Sequence, residues 1–285
     1  MKSKLLLLVT ALMLFVGTVA YAQNECGDNV VWSIDNGVLT VSGSGEMNNY
    51  TKNEPAPWKK NASDVKKLKI GDGVTRIGNW SFSELTALSE VEMPNSLTTV
   101  GERAFYGCTS LKRLDIPNNV ATIESGAFNG CVNVTRINMP TGLKKIGNSA
   151  FLNIPGLRVI NIPQGVEEIG DWAFFGDTAV KAVYFNGKPS MQFGRFVFGR
   201  TDENLLIYYP AVYESEWKGN GYFSKEILRQ YNQTDRISVY VNDIEVVFDQ
   251  QPIIVNDRTL VPVRAIFEAM GAVVGWEEET GTVAS

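Results

Sequence analysis

Residues 101–117 read GERAFYGCTSLKRLDIP, and residues 124–140 read ESGAFNGCVNVTRINMP. Ala-Phe, Gly-Cys, an aliphatic residue and an aliphatic-x-aliphatic-Pro run recur at the same offsets, 23 residues apart. Extended along the chain, the same spacing gives five registers opening at Leu68, Val91, Leu114, Ile137 and Ile160. Their seventh positions are Val74, Leu97, Val120, Leu143 and Val166, and their tenth are Ile77, Val100, Ile123, Ile146 and Ile169. The fifteenth is Phe82, Phe105, Phe128, Phe151 and Phe174. A sixth, degraded copy opens at Val183-Tyr184-Phe185 and echoes Phe-x-Gly at Phe198-Gly199.

So many coincident columns mean that one structural unit is repeated, and a period between 20 and 29 with aliphatic-x-aliphatic openings is the signature of a leucine-rich-repeat solenoid. The run around Val74 to Pro94, and again to Pro117, closely resembles the BspA-like leucine-rich repeats of bacterial surface proteins. The stretch CGDNVVWSIDNGVLTVSGSGEM at 26–47, followed by Ala56-Pro57-Trp58, looks like the lead-in such arrays carry, so the resemblance spans about 26–222. It implies a fold and a binding or structural role without naming a ligand, because members of the family bind many different things.

The expected fold is a β-rich solenoid of short parallel strands and short helical or 3-10 turns, followed by a small α+β module. Each register opens with a strand such as Leu68-Lys69-Ile70, whose outer residues face inward and whose middle residue faces water. Pro94, Pro117, Pro140 and Pro163 end that strand, since proline has no N–H to donate. Glycines at 78, 101, 147 and 170 open the next corner, and Glu124 breaks the column. The organisation read from these patterns is a signal peptide over 1–22, an N-terminal cap over 23–67 and repeats over 68–205. A C-terminal cap over 206–223, a polar linker over 224–236 and a partial module over 237–285 complete it. Asn36-Gly37 predicts a tight hairpin in the N-terminal cap, and Leu206–Pro210 with Trp217 are expected to cover the last rung.

Lys2 and Lys4, the apolar run Leu5 to Val19 and Ala20-Tyr21-Ala22 follow the pattern of a cleaved secretory signal, with an uncleaved anchor as the alternative. The reading places the mature protein outside the cytoplasm, secreted or on the cell surface, with no transmembrane segment once the signal is removed. From Ile237 the repeat is lost. Val263, Ile266, Phe267 and Met270 fall at helical spacing between Pro262 and Gly271. The motif NDRTLVPVRAIFEAMGAVVGW at 256–276 resembles the copper amine oxidase N-terminal-like, or stalk, domain, and Ser285 falls where that module is about half built.

The composition excludes several chemistries. The chain has no histidine, which removes the ligands of an amine-oxidase copper, the usual base of Ser or Cys triads and the commonest zinc ligand. Ser63-x-x-Lys66 lacks the companion motifs of penicillin-recognising enzymes. Gly43-Ser44-Gly45 lacks the rest of a dinucleotide loop. Glu167-Glu168 and Glu277-Glu278-Glu279 read as solvated charge, and Asp35-Asn36-Gly37 and Gly71-Asp72-Gly73 as turns without the oxygen ligands calcium needs. A net charge of -5 with dispersed Lys and Arg argues against nucleic acid. Cys108 and Cys131 share a column with Leu85, Ile154 and Asp177, the pattern of a small buried side chain. Rungs about 4.8 Å apart leave a bridge between them geometrically open.

The expectation is therefore a non-catalytic, cofactor-free binding or adhesion protein for an extracellular protein or glycan. The alternative is a structural spacer or assembly component of the envelope. The strand position that faces solvent reads Lys69, Glu92, Asp115, Asn138, Asn161 and Tyr184 down the stack. Its amide and aromatic end, Asn138, Asn161 and Tyr184, is the expected ligand-binding strip, although exposed strand residues are polar in any case. Trp80 and Trp172, at equivalent points before the Ala-Phe step, form a rival patch, each expected to pack on the neighbouring rung.

Overall fold

The computed structural model describes residues 24–189 and 192–231, and after them only short strand pairs and the single residue Ile266. Those pairs are Tyr240–Val241 with Ile244–Glu245, Ile253–Val255 with Arg258–Leu260, and Gly275–Glu277 with Thr282–Ala284. The signal-peptide reading of 1–22 and the helix read between Pro262 and Gly271 lie outside the described residues, Ile266 excepted.

Aliphatic pairs at the first and third strand positions build one side of the solenoid. Lys67–Ile70 and Glu90–Glu92 pair in parallel with Leu68 opposite Val91, and Arg113–Asp115 pairs with Arg136–Asn138. Val159–Ile162, Ala182–Phe185, Leu206–Pro210 and Leu228–Tyr231 continue the series, with Ile160, Val183, Ile207 and Leu228 in one row. A second side is a seven-stranded parallel sheet running from Gly45–Glu46 to Gln192–Phe193. Its inward column Ile77, Val100, Ile123, Ile146 and Ile169 is fully buried.

The third side carries the phenylalanines and is neither helix nor strand. Ala104, Tyr106 and Cys108 donate to carbonyls three residues back, as in a 3-10 turn, while the alternate amides of Arg103, Phe105 and Gly107 reach Ser125, Ala127 and Asn129 of the next rung. Left-handed backbone at Arg103 (φ 50°) and Gly107 (φ 68°) produces the alternation by turning every second amide along the solenoid axis. Backbone donors are thus satisfied between rungs on all three sides, which a buried backbone requires.

Inside, the rings of Phe82, Phe105, Phe128, Phe151, Phe174 and Phe198 form a continuous stack with centroids 5.3, 5.3, 5.5, 5.1 and 5.5 Å apart. Phe82, Phe105, Phe128, Phe151 and Phe174 are fully buried, and burial of each contributes roughly 1.5–3 kcal/mol. At the N-terminal end Trp58, on the 3-10 helix Pro57–Asn61, continues the stack. There Val30–Asp35 and Val38–Gly43 form the expected hairpin, with Asn36 (φ 46°) and Gly37 (φ 78°) at its tip. Leu39 lies opposite Leu68, so the hairpin adds rungs to the strand side.

The glycine column is imposed by close approach: a Cβ on Gly101 would sit 2.5 Å from the carbonyl oxygen of Ile77. Glu124 stands in that column with its carboxylate fully partnered. It accepts from Arg76 Nη1 at 2.8 Å and Nη2 at 3.1 Å, and from the amide of Glu102 at 3.0 Å.

The C-terminal end departs from expectation. Leu206–Pro210 is itself a rung rather than a cover, and Leu228–Tyr231, expected within a polar linker, supplies another strand. Between them the short helix Glu214–Gly219 buries Trp217, whose Nε1 donates to Gly187 O at 3.0 Å.

Candidate functional site

The solvent-facing column divides into two chemically different halves. In the N-terminal half the charges satisfy one another: Lys67 binds Glu90 at 2.6 Å and also Glu92, Lys69 reaches Glu92 at 4.0 Å, and Arg113 binds Asp115 at 2.5 Å. The hydrogen bonds to Lys67 hold the Glu92 carboxyl below its ordinary value. All are solvent-screened surface pairs that add little net stability.

Beyond Asp115 the charge gives way to amides. Asn138 donates from Nδ2 to Asp115 Oδ1 and accepts from Arg136 Nε at 3.3 Å. Asn138 and Asn161 line one shallow groove of about 440 Å³, together with Gln164 and Asn186. Met139 and Pro163 give it apolar surface. Gln164 was not singled out by sequence; it lies in the turn just after the strand-ending proline, as does Thr141, and that recurring offset was the available signal. Asn186 accepts from the hydroxyl of Tyr231 at 2.5 Å.

Tyr184 does not share the exposure of the column it belongs to. It is 4% exposed, its ring stacked on Tyr208 at 4.4 Å and edge-on to Tyr231 at 5.6 Å. The cause is the two additional rungs: Tyr208 lies opposite Tyr184 in register, and stacked rings are more stable covered than wet. The structure thus brings Asn138 and Asn161 to one groove and places Tyr184 beyond it, in an aromatic cluster with Tyr208, Tyr231 and Ala182.

The two tryptophans differ as well. Trp80 packs on the next rung as expected, with Tyr106 at 6.0 Å and the guanidinium of Arg103 5.0 Å over its ring. Trp172 remains 38% exposed.

The cysteines are structural. All three are buried and free. Cys108 Sγ donates to Phe82 O at 3.1 Å and Cys131 Sγ to Phe105 O at 3.3 Å, so both thiols point along the stack the same way. Burial pushes the Cys131 thiol up to about 12 and that of Cys108 well above its ordinary value. A thiolate nucleophile needs the opposite shift. Among the described residues no group of three or more Cys, Asp or Glu is gathered to hold a metal, and no helix is long and apolar enough to cross a membrane.

Comparison with known proteins agrees with this architecture. Residues 60–181 match the BspA type leucine rich repeat region in six copies, and residues 240–285 match the copper amine oxidase N-terminal domain. A leucine-rich-repeat protein of T. pallidum superposes with a TM-score of 0.51 at 19% identity, over 72% of this chain and 100% of its own. A leucine-rich cell surface protein from Faecalibacterium prausnitzii A2-165 gives a TM-score of 0.50 at 20% identity, over 64% of this chain and 53% of its own. At such identities the likeness is one of fold. No curated protein matches the chain. The chain folds as a leucine-rich-repeat solenoid, and its repeats are similar to the BspA type over residues 60–181.

Proposed function

We propose that this chain is a secreted or cell-surface binding protein, without catalytic activity, that takes an extracellular protein or glycan ligand on the strand side of its solenoid. The groove at Asn138 and Asn161 carries this reading. It lies where the column stops neutralising itself, and amides offer both donor and acceptor to a polar ligand. Solenoids bind through such extended faces, and the leucine-rich cell surface protein of similar fold is compatible with the location. Tyr184, stacked on Tyr208, acts as the wall that fixes the far end of the strip.

The test is a pull-down of extracellular matrix and envelope proteins and of glycans with the full chain, repeated with Asn138→Ala/Asn161→Ala and, separately, Tyr184→Ala. A saturable ligand whose affinity falls at least tenfold in the double variant, at unchanged melting temperature, supports the proposal. Saturable binding that the double variant retains in full rejects the groove. Absence of any saturable ligand favours a spacer role in the envelope.

A further inference from the structure

Each turn of the third side contains two left-handed corners four residues apart. The first is occupied successively by Trp80, Arg103, Gly126, Ser149, Trp172 and Phe196, at φ values from 50° to 65°. The second is occupied by Glu84, Gly107, Gly130, Asn153, Gly176 and Arg200. Left-handed backbone is unfavourable for a non-glycine residue, and bulky side chains tolerate it worst. Gly126 shows that glycine fits the first corner. Two adjacent rungs nevertheless place large rings there and leave them in water: Trp172 is 38% and Phe196 66% exposed. Strain retained at an exposed aromatic that packs little core points to a function for the ring.

Two arginines accompany these corners. The guanidinium of Arg195 lies 5.7 Å over Trp172, oriented by Asp171 Oδ2 at 2.9 Å. Arg200, in the second corner, lies 5.6 Å over Phe175 and forms no ion pair among the described residues. In a chain of net charge -5, an arginine without an ion pair among the described residues, four residues beyond Phe196 on the same turn, presents its guanidinium fork to an external anion.

We propose that Trp172, Phe196 and Arg200 form a second binding site, distinct from the strand-side groove, for an acidic glycan built of uronic-acid sugars. A pyranose ring has a face of C–H bonds that lies flat on an indole or phenyl ring, which accounts for the two exposed rings on neighbouring rungs about 4.8 Å apart. The uronate carboxylate accepts two parallel N–H bonds from the planar guanidinium of Arg200. Arg195, held by Asp171, stiffens the Trp172 platform by stacking on it. The proposal does not depend on the groove: the two sites lie on different sides of the solenoid and share no residue.

The experiment titrates the full chain by calorimetry with an oligogalacturonate, with the same oligomer methyl-esterified, with neutral dextran and with poly-glutamate. Oligogalacturonate alone is expected to bind. Trp172→Gly and Phe196→Gly each weaken it at least tenfold while leaving the melting temperature equal or higher, because glycine relaxes both corners. Arg200→Gln weakens it by a similar factor, and Asn138→Ala/Asn161→Ala leaves it unchanged. The proposal is overturned if oligogalacturonate does not bind or if the glycine variants bind it normally. Equal binding of the esterified oligomer would remove the carboxylate's role and overturn it too. So would poly-glutamate binding with the same residue dependence, which would identify an acidic peptide as the occupant.

Discussion

The indole of Trp58 lies 5.6 Å from the ring of Phe82 and 23° from parallel to it, and its Nε1 donates to Ser81 O at 2.7 Å. Trp58 therefore closes the phenylalanine stack with one face and satisfies a backbone carbonyl of the first rung with its edge. Trp32 and Tyr50 pack edge-on against it at 5.4 and 5.7 Å. Trp58→Ala is expected to cost about 3–5 kcal/mol. Trp58→Phe, which keeps a ring and loses the donor, should cost about 1–3 kcal/mol, the penalty of an unsatisfied buried carbonyl. Denaturant unfolding of both variants checks the difference, and equal losses would contradict the role given to the Ser81 bond.

Phe128 sits mid-stack, 5.3 Å from Phe105 and 5.5 Å from Phe151, with ring planes within 5° and 9° of parallel. Its amide donates to Ala150 O at 2.8 Å, and its own carbonyl accepts from Cys131. Phe128→Ala should cost about 3–5 kcal/mol. Because each rung is stable only against its neighbours, hydrogen exchange is expected to accelerate in the flanking rungs at Phe105 and Phe151 as well as at residue 128. Acceleration confined to the mutated rung would show that the rungs are less coupled than the inter-rung amides require.

How far the sequence carried this fold depended on the constancy of its period. From Leu68 to Ile169 the spacing is fixed and every buried column was legible. Beyond Ile169 the interval lengthens to 24, as in Ile169 to Phe193 and Phe174 to Phe198, and between Ile207 and Leu228 it shrinks to 21 with a helix inserted. Those shifts hid two rungs, and with them the cover over Tyr184. The alternation of left-handed corners was not legible either, because a residue such as Arg103 or Trp172 gives no compositional signal of positive φ. Side-chain contacts such as Arg76 with Glu124, 48 residues apart, depend on three rungs being stacked in register.

Cys108 and Cys131 follow from their column. Each thiol donates to a carbonyl of the preceding rung and neither is exposed. In native protein near pH 8 the thiols, including Cys26, whose value burial also pushes to about 12, should resist alkylation. After unfolding without reductant, all three should be modified. Mass spectrometry that found a Cys108–Cys131 linked peptide would contradict the free-thiol geometry.

Asp177 occupies the same column as those cysteines and is fully buried. Its Oδ1 accepts from the amide of Ile154 at 2.7 Å, while Oδ2 has no partner. Burial drives the carboxyl well above its ordinary value, and the Ile154 bond opposes this only in part. The native state therefore binds a proton that the unfolded chain, with a carboxyl near pKa 3.9, releases. With the folded value raised, the contribution of Asp177 is fullest below about pH 4 and is lost as pH rises toward the folded value. Asparagine keeps the acceptor for Ile154 and cannot ionise. Asp177→Asn should match wild type near pH 4 and exceed it in melting temperature by a margin that widens between about pH 5 and pH 8. Comparing the difference between the two proteins, rather than either curve alone, removes the common acid loss from carboxyls such as Glu92 and Asp171, whose values are lowered by their partners. A difference that stays constant across that range would mean that Asp177 does not titrate on unfolding.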